Sequence, residues 1–181
     1  MENQAAVTPN PTKVATKWAL ISTLTNIVLT YVFEFMNLDQ QSPIKYLSFL
    51  PFIIFLFLAQ KEFRDTTGGG YMTFGTGFST GFRYSVFTGL LLGVFIAIYL
   101  WILSPEVLEK SLEASRAQME ARGMSDAEIE RSMGIANKIG PWAGGFFSAL
   151  MYTIVGALLS LIGAAIFKKE RSPLDTAVDP E

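Results

Sequence analysis

Glu34 is the single acid inside a long apolar stretch of this chain, and Arg83 is the single base close to one. An ionisable group surrounded by hydrocarbon is costly, and by default it is a candidate for moving protons or ions. The positions of these two argue against a pair. Glu34 falls about three residues, roughly 5 Å of helix rise, before the end of the first apolar stretch. Arg83 falls near the start of the third. With alternating crossings these points lie on opposite faces of a membrane. The expectation for Glu34 is therefore snorkelling or local pairing, with a proton or cation path as the second reading. Asn26, near the middle of the first stretch, suits a hydrogen bond between helices better than a ligand contact.

Other chemistries lack their parts. The 181 residues include no cysteine and no histidine. That removes disulfides, Cys/His zinc sites, Ser-His-Asp and Cys-His nucleophiles, and haem on a proximal histidine. The run GGGYMTFGTG at 68–77 lacks the G-K-[ST] ending of a phosphate loop and does not match G-x-G-x-x-G. Carboxylates at helical spacing, Glu106, Glu109 and Glu113, read as a solvated charged face. A net charge of −2 offers no basic footprint for nucleic acid. No cofactor and no metal are expected, and an enzyme is the third reading, since it would have to work with carboxylates alone.

The elements that would position these residues follow from hydropathy. Charged residues make up 17% of the chain and apolar ones 50%, against about 25% charged in an ordinary soluble domain. Spans are expected at 17–37, 44–60, 82–103 and 142–167, each near the ~20 residues that cross a ~30 Å hydrocarbon core. The first is too long for a signal-peptide core and has no A-x-A-like cleavage site. The second carries Pro51, which a bundle tolerates as a kink because neighbours can satisfy the freed carbonyl. Residues 1–16 and 170–181 are polar and read as disordered tails.

Spans three and four carry stripes of small residues. Gly77, Gly81, Ser85, Gly89, Gly93 and Ala97 repeat every fourth position, as do Gly156, Ser160 and Ala164 with Gly144 and Ser148 on the same series. Glycine costs about 1 kcal/mol against alanine in a water-exposed helix. In a bilayer, small residues let two backbones approach, and that contact replaces hydrophobic burial as the force that joins helices. The stripes are expected to pack helices three and four together. A spacing of four drifts about 40° per step, so the whole stripe suits two partners or a homo-oligomer.

The segment between spans three and four is acidic and carries helix punctuation. Pro105 behind Ser104 opens one helix, expected over 105–122 and stopped by Gly123. Ser125 and Glu128 form a capping-box pattern for a second, expected over 126–138 and closed by Gly140 and Pro141. The bases close to the spans are Lys17, Lys61, Arg64, Lys168, Lys169 and Arg171. They share one side if there are four crossings, which puts both termini in the cytoplasm.

Four stretches occur in a telling order: GGYMTFGTGF before span three, YLWILSPEVLEK at its exit, RGMSDAEIERSM in the acidic loop, and LIGAAIFKK at the end of the last span. In these the chain resembles a family of small bacterial four-span integral membrane proteins of unknown function, over residues 15 to 170. The resemblance implies a topology and transfers no catalytic residue. The expectation is thus an all-α, four-transmembrane-helix bundle of the bacterial inner membrane with a helical acidic loop. Its partners would be the lipid bilayer and a second membrane protein or another copy, and its role non-enzymatic.

Overall fold

The structure is a computed structural model that describes residues 10–36, 47 and 49–171. Five helices make it up: α1 (Pro11–Phe35), α2 (Phe49–Glu62), α3 (Phe74–Ile98), α4 (Pro105–Ala121) and α5 (Asp126–Phe167). One π-helical turn, Phe63–Thr67, continues α2, and another, Tyr99–Leu103, continues α3. Among the described residues there is no strand, only an isolated bridge between Met72 and Lys169. Three helices are long and apolar enough to cross a membrane: Pro11–Phe35, Phe74–Leu103 and Asp126–Phe167. The described part of α2 has 14 residues, and the start of the expected span 44–60 lies outside the described residues.

By its contacts the chain divides into two units, Met1–Thr88 with Tyr152–Glu181, and Gly89–Met151. In the first unit, Phe52, Leu56, Phe63, Met72 and Tyr84 are buried together with an unusual number of small and polar side chains. The inward faces carry small and polar side chains: Ala15, Ala19, Ser22 and Asn26 on α1, Gln60 on α2, Thr80 and Ser85 on α3, and Ser160 and Ala164 on α5 are all buried. The outward faces carry large apolar ones. On α1, Leu20, Leu24 and Val28 repeat every fourth residue at 50%, 63% and 60% exposure.

Polar contacts gather four helix ends of this unit. Lys17 Nζ donates to both Glu62 carboxylate oxygens at 2.6 and 2.5 Å, and the Trp18 indole donates to the same carboxylate at 2.9 Å. Arg83 donates to the Thr12 hydroxyl. Met72 and Lys169 exchange backbone hydrogen bonds. The start of α1, the end of α2, the start of α3 and the end of α5 therefore share one level, so the helices alternate in direction.

In the second unit, α4 reverses into α5 through a Schellman turn. The Met124 amide donates to Met119 O at 3.2 Å and the Gly123 amide to Glu120 O at 2.9 Å, with Gly123 at φ 75°. The Ser125 amide and hydroxyl both donate to Glu128, at 3.0 and 2.7 Å. An open groove of about 430 Å³ lies between α4 and α5, lined by Glu109, Leu112, Glu113, Arg116, Met133, Gly134 and Asn137.

Four expected boundaries move. The helix of span one starts at Pro11 and not at 17, because Asn10 caps it by accepting from the Thr12 amide at 2.9 Å and Pro11 sits in its first turn; residues 1–9 lie outside the described residues. The helix of span three starts at Phe74, ahead of the expected 82. The second loop helix does not close at Gly140 and Pro141. It runs on as part of α5, whose 42 residues measure roughly 63 Å at 1.5 Å per residue. A proline inside a helix loses its own N–H bond to the carbonyl four residues back. Here that residue, Asn137, is exposed, so water can take the carbonyl and the helix continues. The expected 105–122 helix ends at Ala121 with Arg122 as its cap. Of the expected tail 170–181, residues 172–181 lie outside the described residues.

Replacing Gly123 with alanine should destabilise the α4–α5 turn by about 1 kcal/mol, since a Cβ is disfavoured at positive φ. Hydrogen exchange at the Gly123 and Met124 amides checks this: both should exchange faster, with the remainder of α5 unchanged.

Candidate functional site

Gln60 is the centre of the first unit. It is fully buried on α2, and its side-chain nitrogen donates to two other helices at once: to Gly77 O on α3 at 3.0 Å and to Ser160 O on α5 at 2.9 Å. Both carbonyls belong to helical residues and offer a spare lone pair, so the amide adds to the helix bonds without breaking them. The site exists because Gly163 lacks a side chain. A Cβ there would collide with Gln60 Oε1, and it would come within 2.9 Å of Phe57. Gln60 Oε1 itself has no hydrogen-bond partner.

The striped residues line the same seam. All six of the α3 series, Gly77, Gly81, Ser85, Gly89, Gly93 and Ala97, are buried. In the first unit, Gly77 faces Ala164, Gly81 faces Ser160, and Ser85 faces Gly156. In the second, Gly93 and Gly145 meet backbone to backbone, with Ala97 and Ala149 beside them. The Gly144 and Ser148 series does not continue inward, since both are only half-buried. Within the second unit the facing residues of α5 are Gly145 and Ala149, one position along from that series.

Next to Gln60 lies an aromatic block. The buried Tyr84 hydroxyl donates to Phe52 O at 2.9 Å. Its ring lies 5.4 Å from that of Phe52, which meets Tyr152 edge-on at 5.0 Å. Small residues thus bring backbones together in one layer, and interlocked rings fill the next.

The three polar candidates do not converge. Arg83 sits beside Thr12, whereas Glu34 lies 22 residues further along α1, roughly 33 Å at 1.5 Å per residue. Asn26 is buried on α1, and its amide donates to Ser22 O within the same helix at 3.0 Å, not across to another. Its Oδ1 has no hydrogen-bond partner and neither has the Thr23 hydroxyl, whereas the Ser22 and Thr88 hydroxyls lie against that of Tyr84. Other buried hydroxyls return a bond to their own helix, as Ser85 does to Gly81 O at 2.8 Å and Ser160 to Gly156 O at 2.5 Å. At the polar end, Arg64 lies 2.6 Å from Asp65 and holds that carboxyl below the usual carboxylate range.

Reading the chain for ionisable groups missed Gln60 and Glu62. A signal existed for each: an uncharged amide at the end of a Phe- and Leu-rich run, and a carboxylate one turn beyond Leu58 with Lys17 and Trp18 available to meet it.

A family model matches residues 17–169 of the chain. The chain belongs to the DUF4199 family. That family is described as a protein of unknown function. No curated protein and no solved structure matches the chain. The family therefore brings an extent without an activity.

The arrangement can hold helices in one register through close approach and a shared amide. Gly163→Ala should cost about 1–3 kcal/mol by overpacking, and Gln60→Ala about 1–2 kcal/mol by losing hydrogen bonds between helices. In the double variant the Gly163→Ala cost should fall by more than half, because the colliding group is gone. Unfolding in detergent micelles across the four proteins measures this coupling.

Proposed function

We propose that the chain is a multi-pass integral protein of the bacterial inner membrane, without catalytic activity of its own, acting as a packing or partner subunit. The observation that carries this reading is the first unit's combination of buried polar side chains with apolar outer faces. Serine, threonine, asparagine and glutamine are buried, while leucines and valines at 50% exposure or more face outward. Water penalises both halves of that arrangement and hydrocarbon favours both. A soluble monomer seldom exposes a contiguous apolar patch beyond about 300–600 Å².

In this reading α1, α2, α3 and α5 each cross once, α2 with the residues that precede it. Alternation of helix direction at the shared polar end supports four crossings. The bases at that end, among them Lys61, Arg64, Lys168 and Lys169, support placing it, and both termini, in the cytoplasm. Four crossings put α4 and the first turns of α5 on the opposite side, where their charged surface meets water or a partner.

A second reading, a transporter component using Glu34, draws on the buried oxygens of Thr23 and Asn26 that lack hydrogen bonds. Such groups face a cost in a dry interior and suit a hydrated path. Flux in proteoliposomes separates the readings. Glu34→Gln should leave proton and cation leak unchanged for a packing subunit and alter it sharply for a transporter.

Because the chain has no cysteine, each introduced cysteine is a unique label. With an impermeant maleimide on intact cells, Gln41→Cys and Glu113→Cys should label, and Gly69→Cys should label only after lysis. Labelling of Gly69→Cys together with Glu113→Cys in intact cells would overturn the four-crossing topology.

A further inference from the structure

The stretch after α5 is pinned by its backbone. The Met72 amide donates to Lys169 O at 2.8 Å, and the Lys169 amide donates to Met72 O at 2.9 Å. Side chains alternate between faces along an extended chain. Lys169 and Arg171 therefore share one face, and Lys168 and Glu170 share the other. The contacts follow that alternation. Lys169 Nζ lies 5.4 Å and the Arg171 guanidinium carbon 5.2 Å from the centre of the Tyr71 ring. Lys168 pairs instead with Glu170 at 3.1 Å.

Two positive charges are thus gathered on one aromatic ring, and the acid between them in sequence is turned away and engaged. Asp65, whose carboxyl feels Lys169, is already held by Arg64 at 2.6 Å. Lys169 and Arg171 are exposed, so their remaining N–H donors face outward. Like charges this close repel, and the ring face offsets only part of that. An anion that accepts from both would offset the rest. A phosphate fits: arginine presents a bidentate fork to two of its oxygens, and lysine adds a point charge. Tyrosine is a residue of the membrane–water interface, so this cluster sits where lipid headgroups lie.

We propose that Tyr71, Lys169 and Arg171 form a binding site for the phosphate group of an anionic phospholipid. The proposal rests on the membrane reading. A hydrogen bond to the bound phosphate is worth about fivefold in affinity, so losing the donors of both side chains should cost about thirtyfold.

The test uses the full chain in nanodiscs of phosphatidylcholine with a minor share of phosphatidylglycerol, and native mass spectrometry of the released protein reads the lipid retained. The wild type should keep phosphatidylglycerol, and Lys169→Gln/Arg171→Gln should keep about thirtyfold less. Lys13→Gln/Lys61→Gln removes the same charge elsewhere at this end and should keep the wild-type level. Equal loss in the two double variants would overturn the site in favour of diffuse charge. Excess inorganic phosphate should leave the lipid bound, and displacement by it would overturn the lipid as the source of the phosphate. The backbone bridge does not depend on the altered side chains, so these variants keep the pinned geometry. Discs of phosphatidylcholine alone separate the two readings. Protein that enters those and shows no preference for phosphatidylglycerol loses the headgroup site only, whereas protein that enters no disc loses the membrane reading itself.

Discussion

How closely two helical backbones can approach decides most of this structure. In a bilayer, helices with Leu24, Val28, Leu158 and Ile166 on their outer faces would gain little from covering one another, since the medium is as apolar as those side chains. Dispersion and direct polar contact must hold them, and both fall away within an ångström or two. Hence the seams are made of residues with almost no side chain. Gly77 lies opposite Ala164 and Ser85 opposite Gly156 in one unit, and Gly93 lies opposite Gly145 in the other. Small hydroxyl residues join glycine at little cost, because Thr80, Ser85 and Ser160 each return a hydrogen bond to their own helix.

Close approach also makes a single amide effective. Gln60 reaches carbonyls on two helices because those helices lie within one side-chain length of α2. A larger residue at 163 would push the amide away, so the polar contact and the steric contact are one device. A register shift of one residue on α5 would remove the gap that admits the amide. Dispersion is tolerant of such slips, and a buried amide is not, since its donors and acceptors have no water to fall back on.

The α3 stripe was legible in the chain because period and residue size are both sequence properties, and all six of its members are buried. The corresponding line on α5 was legible only from Gly156 onward. In the second unit the facing residues are Gly145 and Ala149, and the stripe through Gly144 and Ser148 does not point to them. Gly140 and Pro141 look like a stop, yet a proline deletes one bond only, and the exposure of Asn137 that makes the loss tolerable is a tertiary property. Gln60 was hidden for a related reason. At the end of an apolar run, an amide that reaches headgroups and one that reaches two helices have the same sequence. The turn at Gly123 and the helix start at Pro105 were plain, because cap chemistry is local.

The placement of Ser160 and Lys169 has a consequence for biogenesis. Gln60 has one of its two acceptors on α5, and Lys169, the bridge partner of Met72, lies just beyond that helix. Until the ribosome has delivered the final helix, Gln60 can bond only Gly77, and the loop before α3 is untethered. The contact between α2 and α5 and the tether of the loop before α3 therefore close together, and only once α5 has been made.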